Sequence, residues 1–375
     1  MKSFKFKALM CAAFICIFGF TFPAYNYDIV GYTAAVYKQD GFSGEKLNSK
    51  VYGEIARDID SKIVAQTNEF KSISGEVQGP YSDYRYSVYT DPVALEQQIP
   101  FYSVKFFYVQ FIFLLHKLGM TAPSASYLIS AFFSGLTFLK ISKMASKLGL
   151  GKPLIVSSVI SLIIGLPFLA RLSTPDALGA FCIVLLGEAI LFNSKLQYLI
   201  LSFIPFIRPD YIIFQFLYFI ASLKSGKRMS ALTILCSGTV GLWVLDHSVH
   251  AYSFQQNMNF LLFNFVPFPN DLPNAIPVKL YLGSLITATI VYSTSGIFCI
   301  YFLHLLLINK SRNVNQQISE SNIKLVLIGF YPILHLILFP SYDFRFFSGV
   351  TALSLLIILA AIFSPRRIRK LESEN

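Results

Sequence analysis

The sequence predicts an all-α polytopic membrane protein with about ten transmembrane helices. Hydrophobic residues make up 54% of the 375 positions, and charged residues only 14%. The apolar residues form repeated stretches, long enough to cross a hydrocarbon core of roughly 30 Å. Lys and Arg occur in short clusters between these stretches, which is typical of cytoplasmic loops and not of a nucleic-acid-binding face. We therefore expect residues 1–375 to form a single membrane domain.

The first predicted element is an uncleaved signal anchor. Lysines at positions 2, 5 and 7 precede an apolar run from Ala8 to Phe22. Signal cleavage after Ala24 would require a small residue at position 22, where the chain has Phe22. The anchor leaves residues 25–121 as a loop of mixed structure on the outer, periplasmic side. Residues 25–100 contain eleven acids against seven Lys and Arg in a chain of net charge +11, and this asymmetry supports export of the loop.

The end of this loop, residues 101–118, is predicted to be a helix at the outer interface. Four polar residues interrupt its aromatic-rich run, as in helices that lie in a membrane surface. Counting back from a cytoplasmic, basic C-terminal tail places Lys140 to Lys152 inside, so the helix over 122–140 must begin outside. The alternative makes 101–118 a true span and joins 196–223 into one kinked crossing, but it leaves four lysines outside.

The remaining predicted spans follow in chain order, with a second outer loop at 246–278. All five cysteines lie in apolar segments, so we expect neither a disulfide framework nor a zinc site. No internal repeat indicates an inverted-repeat transporter. The apolar segments after the interfacial helix are 122–140, 153–170, 176–192, 196–207, 209–223, 230–246, 279–308, 323–339 and 346–363.

Seven charged residues lie at ends of apolar segments, and the predicted topology places all of them on the outer side. Charges gathered at one end of the spans predict an active site at the membrane surface. These residues are Asp28, Glu96, Asp176, Arg208, Asp210, Asp343 and Arg345.

Asp28 directly follows the first span and is flanked by tyrosines. A carboxylate at the bilayer rim suits a general base, and a solvated helix-end aspartate is the alternative. Arg208 and Arg345 each lie two residues from an aspartate at a span boundary. A guanidinium there can bind a phosphate, while an ion pair with its own aspartate is the alternative. We favour phosphate binding for Arg345.

Two further acids are candidate metal or substrate ligands. Glu96 lies where the outer loop returns to the membrane, and Asp176 follows Thr174 and Pro175. Both also fit the first turn of a helix, where an acid is favoured by the helix dipole. Glu188 lies inside a span, and we expect it to pair with Lys195 or to face a polar interior.

The order of these motifs resembles the GT-C superfamily of membrane glycosyltransferases, especially the branch of protein mannosyltransferases and lipid A aminoarabinose transferases. The chain departs from the family pattern in having a single acid at position 28, a single proline at position 100, and Gln97-Gln98 where a lysine is often found. The matching residues are Asp28 with Tyr32, Glu96 to Tyr102, Pro175-Asp176, Arg208-Pro209 and Arg345-Phe346.

The resemblance implies a hexosyltransferase-like enzyme of the cell envelope, and the compact loops and lysine-rich signal anchor suit a multi-pass protein of a bacterial inner membrane. The donor would be a sugar on a polyprenyl phosphate among the membrane lipids, and the acceptor an unidentified glycan, lipid or protein. Asp28 would be the catalytic base, and the substrate and phosphate site would include Arg345, Arg208, Tyr32 and Asp343. Glu96 and Asp176 would hold a divalent metal ion, if one is used.

Other functions remain open from the sequence. A transporter or flippase of lipid-linked sugars would also use arginines to grip phosphate, but it predicts charges spread through the bilayer depth. An O-antigen or capsule polymerase would normally use arginines in outer loops, and the first outer loop has only Arg57 and Arg85. A non-catalytic assembly factor would tolerate substitution of Asp28 and Arg345.

Overall fold

The computed structural model describes residues 2–59, 82–223, 228–312, 320–341 and 343–364, and every regular element in these ranges is helical. The all-α prediction is confirmed for this part of the chain. The first nine α-helices are α1 Lys2–Thr21, α2 Asp28–Gln39, α3 Gly44–Asp58, α4 Ser82–Thr90, α5 Pro92–Ser103, α6 Phe106–Lys117, α7 Ala122–Lys147, α8 Pro153–Ile163 and α9 Leu166–Leu169.

The second half continues in the same manner, with short 3-10 helices at several loop-to-helix junctions. The α-helices are α10 Asp176–Leu191, α11 Leu196–Phe203, α12 Ile212–Ser222, α13 Arg228–Ser248, α14 Phe254–Leu262, α15 Val278–Thr294, α16 Ile297–Arg312, α17 Glu320–Leu338 and α18 Ser348–Phe363. The 3-10 helices are Ile204–Phe206, Pro209–Tyr211, Pro269–Asp271 and Phe344–Phe347.

Among the described residues, four helices are individually long and apolar enough to cross a membrane: Ser3–Thr21, Ala122–Lys147, Arg228–Ser248 and Phe344–Phe363. Two bent helix pairs raise the number to six if each pair forms one span. The protein is therefore a membrane protein with four to six candidate spans, and the expected count of about ten is not confirmed. Interruptions explain part of the difference. The segment predicted over 153–170 is divided at Gly165, whose φ of 65° ends α8.

The helix predicted over 101–118 is instead two helices. α5 ends at Ser103, α6 begins at Phe106, and their axes are bent by 112°. At the bend, the ammonium of Lys105 donates a hydrogen bond to the carbonyl oxygen of Phe101. The prediction of one continuous helix over 101–118 is therefore wrong in its boundaries. Lys105, whose side chain bonds to the carbonyl oxygen of Phe101, lies at the break between the two helices.

Helices α7 and α10 pack along each other and connect the two ends of the bundle. Near their N-termini, the Ser130 hydroxyl donates to the carbonyl oxygen of Thr174 at 3.0 Å. Further along both helices, Lys140 Nζ lies 2.7 Å from Glu188 Oε2. The two helices therefore run in the same direction. Glu188 pairs with lysines of α7, and not with Lys195, which was one of the two predicted alternatives, because α7 packs directly along α10.

The anchor helix α1 packs closely against α7. A Cβ added at Gly135 would lie 2.8 Å from the carbonyl oxygen of Ala12, which is closer than real Cβ contacts. Glycine at this position therefore lets the two backbones touch, as small residues do in membrane helix pairs.

The two segments predicted as outer loops, residues 25–121 and 246–278, are joined to each other on α5. In the first loop, the ring of Tyr102 packs directly on Gly31 of α2. In the second, the hydroxyl of Tyr252 donates to the carbonyl oxygen of Gln97 at 2.9 Å, and Gln98 Nε2 donates to that of Pro267 at 3.0 Å. These bonds attach residues 251–272 to α5, the helix that contains Tyr102.

We predict that Gly135→Ala destabilises the protein by about 1–3 kcal/mol, because overpacking a tight helix contact forces the backbones apart. Thermal unfolding in detergent would measure the loss. The control is Gly283→Ala in α15, where an added Cβ meets nothing within 4 Å. Alanine is the better helix former, so this variant should melt at or slightly above the wild-type temperature. Equal melting of the two variants would contradict the close contact.

Candidate functional site

Arg345 contacts three carboxylates that come from distant parts of the chain. Its Nη1 lies 3.1 Å from Asp28 Oδ2, and its Nε lies 3.4 Å from Asp176 Oδ2 and 2.6 Å from Asp343 Oδ2. Arg345 therefore joins the first outer loop, the start of α10 and the turn before α18. The predicted alternative of an ion pair with its own aspartate holds for Asp343, but this pair is only one part of a larger network.

Arg208 extends the same network inwards. Its Nη1 donates to Asp176 Oδ1, and its Nε lies 3.1 Å from Asp210 Oδ1. Asp210 in turn accepts a hydrogen bond from the Tyr331 hydroxyl at 2.7 Å and lies 3.3 Å from Nε2 of His335. The carboxylate of Asp176 is thus shared between the two arginines.

Helix starts bring these residues to one end of the bundle. Asp28 is the first residue of α2, and Asp176 is the first residue of α10. Acids are favoured there because the free N–H groups and the dipole of a helix give its N-terminus a partial positive charge. The Asp343 carboxylate caps the 3-10 helix Phe344–Phe347 by accepting the Arg345 N–H at 3.2 Å.

Two hydrogen bonds between Asn26 and Ser173, which the sequence did not predict, position Asp28. The amide of Asn26 donates to the carbonyl oxygen of Ser173 at 3.3 Å, and Asn26 Oδ1 accepts the Ser173 N–H at 2.9 Å. The same amide lies 3.2 Å from Asp28 Oδ2. The bonds to Ser173 tie the residues before α2 to the turn before α10, so Asp28 and Asp176 keep a fixed separation.

The network has an accessible layer and a buried layer. The side chains of Asp28, Asp343 and Arg345 are 31%, 40% and 24% exposed, whereas those of Asp176 and Arg208 are 2% and 10% exposed. A ligand can therefore reach the first three, while the last two support them from behind. Burial raises the pKa of the Asp343 carboxyl above its ordinary value, and the Arg345 guanidinium offsets part of this rise.

Lys105 is a further cation near the network that the sequence analysis did not assign to the site. It is half-buried, and its ammonium lies 5.6 Å from the centre of the Tyr102 ring. Its charge interacts with those of Asp28, Asp176 and Asp210 over a longer range than direct contact. In the described part of the chain, no carboxylate lies within 4.0 Å of its Nζ. The only sequence signal was a lysine in the middle of an aromatic run.

Two of the predicted site residues lie away from the accessible layer. Glu96 Oε2 pairs with Lys38 at 3.0 Å, and Glu96 Oε1 accepts the Gly44 N–H at 2.8 Å, so this acid joins α5 to the end of α2 and the start of α3. Tyr32 is 3% exposed, because its ring lies between two other tyrosines, those at positions 102 and 108.

The structure does not bring the two predicted metal ligands together. Asp176 is occupied by Arg208 and Arg345, and Glu96 by Lys38 and a backbone N–H. In the described ranges, no group of three or more His, Cys, Asp or Glu is arranged to hold a metal ion. Glu96 and Asp176 therefore do not fit a shared metal site in this arrangement.

Comparisons with protein-family models, curated proteins and solved structures give no match for this chain. The resemblance to the GT-C superfamily stays a prediction, and so do the roles of the individual residues. What the structure contributes is the geometry: Asp28, Asp176, Arg208, Asp210, Asp343 and Arg345 form one network at the starts of α2, α10 and the last span.

We predict that Asp176→Asn destabilises the protein by about 3–5 kcal/mol, because both arginines lose the buried carboxylate that they share. Unfolding in detergent, followed by circular dichroism, would measure the change. Asp271→Asn is the matched control, since Asp271 is exposed on the second outer loop. Its stability should stay within about 0.5 kcal/mol of wild type. An Asp176→Asn variant as stable as this control would show that the two arginines do not depend on Asp176.

Proposed function

We propose that the protein transfers a sugar from a polyprenyl-phosphate-linked donor to an acceptor at the outer face of the membrane, with inversion at the anomeric carbon. One observation carries this proposal: the Asp28 carboxylate lies 3.1 Å from the Arg345 guanidinium, at the accessible edge of the network. Glycosyl transfer from a phosphate needs a base for the acceptor and a cation for the departing phosphate, held close together.

In the structure without substrate, the base and the cation neutralise each other. Binding of the donor phosphate to Arg345 would replace Asp28 as its ion-pair partner, because a phosphate offers the guanidinium paired, charge-assisted hydrogen bonds. Asp176 and Asp343 would keep the guanidinium in place during this exchange. Asp28 would then be free to accept a proton, so donor binding would itself activate the base.

The chemical step follows from this arrangement. Asp28 takes the proton from the acceptor hydroxyl while the acceptor oxygen bonds to the anomeric carbon. The bond from that carbon to the phosphate oxygen breaks, and its electron pair stays on the phosphate. Attack from the face opposite the leaving phosphate inverts the configuration. Arg345 stabilises the negative charge that develops on the leaving group.

Lys105 supports the leaving phosphate in the same proposal. Arg345 contacts three carboxylates and Arg208 contacts two, one of them shared, so four carboxylates already outnumber the two guanidinium groups. Lys105 donates to a backbone carbonyl, and its charge interacts with that of Asp28 over a longer range than an ion pair. A second cation of this kind suits a phosphate whose charge increases as the sugar leaves.

The proposal extends to the membrane arrangement. We infer about ten crossings in a bacterial inner membrane, with residues 25–121 and 246–278 on the outer side and membership of the GT-C superfamily. The polyprenyl tail of the donor stays in the bilayer, which explains why the proposed enzyme is a membrane protein and not a soluble domain. The mechanism has no metal step, because Glu96 and Asp176 are bonded to other partners.

We predict that Asp28→Asn abolishes sugar transfer, with a loss of at least about 100-fold in rate, because an amide cannot accept the acceptor proton. Transfer would be measured as consumption of radiolabelled polyprenyl-phosphate sugars in membranes of the source cell. The variant should fold and still bind the donor, and Asp271→Asn should transfer at the wild-type rate. Activity retained in Asp28→Asn would exclude Asp28 as the base.

We also predict that Arg345→Ala loses the donor lipid. Mass spectrometry of co-purifying lipids should find polyprenyl phosphate or its glycosyl ester with the wild type, and not with the variant. Arg57→Ala is the control, because it removes the same charge from an exposed part of the first outer loop. Bulk phospholipid alone in all three proteins would argue against a donor site. Retention of a lipid-linked sugar that is never consumed would favour a transporter.

A further inference from the structure

A second charged cluster lies away from the outer network, further along the same two helices. Glu188 is twelve residues beyond Asp176 in α10, about 18 Å along the helix axis. Three lysines of α7 surround its carboxylate. Lys140 Nζ lies 2.7 Å, Lys147 Nζ 2.8 Å and Lys143 Nζ 4.0 Å from a carboxylate oxygen of Glu188. We call these four residues the lysine cluster.

The lysine cluster carries an excess of positive charge. The three lysines lie on one face of α7, because their spacings of three and four residues correspond to about one turn each. In the described part of the chain, Glu188 is the only carboxylate within 4.0 Å of these lysines, and it balances only one of the three ammonium groups. Glu188 and Lys140 are largely buried, with side chains 10% and 18% exposed, so part of this charge lies in a poorly solvated region.

The ammonium groups that remain unbalanced face outwards. The side chains of Lys147 and Lys143 are 40% and 60% exposed. Lys147 Nζ lies 4.3 Å above the centre of the Phe192 ring, which directs it to the end of α10. The neighbouring turn is fixed by the last span, since the Ser364 hydroxyl donates to the carbonyl oxygen of Gly149 at 2.9 Å. The Lys147 ammonium is therefore positioned by α7 and the end of α10, beside a turn that the end of α18 fixes.

We propose that the lysine cluster binds the phosphate headgroup of an anionic phospholipid. The ends of membrane-crossing helices lie at the depth of lipid headgroups, and ammonium groups there attract anionic lipids. A phosphodiester bound to Lys143 and Lys147 would balance the charge that Glu188 leaves over. The acyl chains would lie along the apolar surface of the neighbouring helices. This site is separate from the outer network and does not depend on the proposed transfer reaction.

The test is native mass spectrometry of the full-length protein in detergent, titrated with phosphatidylglycerol, phosphatidylcholine or inorganic phosphate. The wild type should retain phosphatidylglycerol and release phosphatidylcholine. Lys143→Gln/Lys147→Gln should retain at least fivefold less phosphatidylglycerol than Lys46→Gln, which removes one charge from an exposed position of the first outer loop. Lys143→Gln alone should give an intermediate loss, and it serves as the test if the double variant does not fold.

Two results would overturn the proposal. Equal retention of phosphatidylglycerol by Lys143→Gln and Lys46→Gln would show that Lys143, the most exposed lysine of the cluster, does not bind the lipid. Displacement of phosphatidylglycerol by inorganic phosphate at the same concentration would indicate a site for a small anion instead of a lipid. Loss confined to the cluster variants, with inorganic phosphate without effect, supports a lipid site.

Discussion

The end of the bundle that carries the charged network depends on one buried carboxylate, that of Asp176. It is 2% exposed, and it balances Arg208 on one oxygen and Arg345 on the other. A buried charge is tolerated only when its partners are close and correctly oriented, so Asp176 requires both guanidinium groups at their observed positions. These two arginines in turn position Asp28, Asp210 and Asp343. Three separate turns of the chain are thereby held around the start of a single helix.

The sequence was sufficient to predict that these charges meet, but not how they are paired. Charges at span ends can gather at one membrane face because the bilayer orders the helices, which explains the grouping of Asp28, Asp176 and Arg345. The position of Lys105 depends on the bend between α5 and α6, and that of Glu96 on its contacts with Lys38 and Gly44; no local pattern specifies either. The count of spans was not confirmed, because single breaks such as Gly165 interrupt apolar runs that appear continuous in the sequence.

The buried layer and the accessible layer have different roles in the site: the first supports it, and the second can exchange ionic partners. Asp176 and Arg208 provide a rigid support, because they are enclosed by the protein and paired with each other. Asp28 and Arg345 lie at the accessible edge, where exchanging one ionic partner for another costs less than it would in the interior. In the proposed mechanism, a rearrangement of these two side chains would be enough to change the state of the site, without movement of the helices.

The spacing of the paired charges along the chain also bears on how the protein enters the membrane. Arg208 lies two residues from Asp210, and Arg345 two residues from Asp343, so each turn carries its own counter-charge before the bundle assembles. In the proposed topology both turns are exported; moving an isolated arginine across the hydrocarbon core is costly, and a carboxylate next to it makes the turn neutral. During biosynthesis, each helical hairpin would therefore be able to insert by itself. Asp176 would join the two turns only afterwards, when the helices pack together.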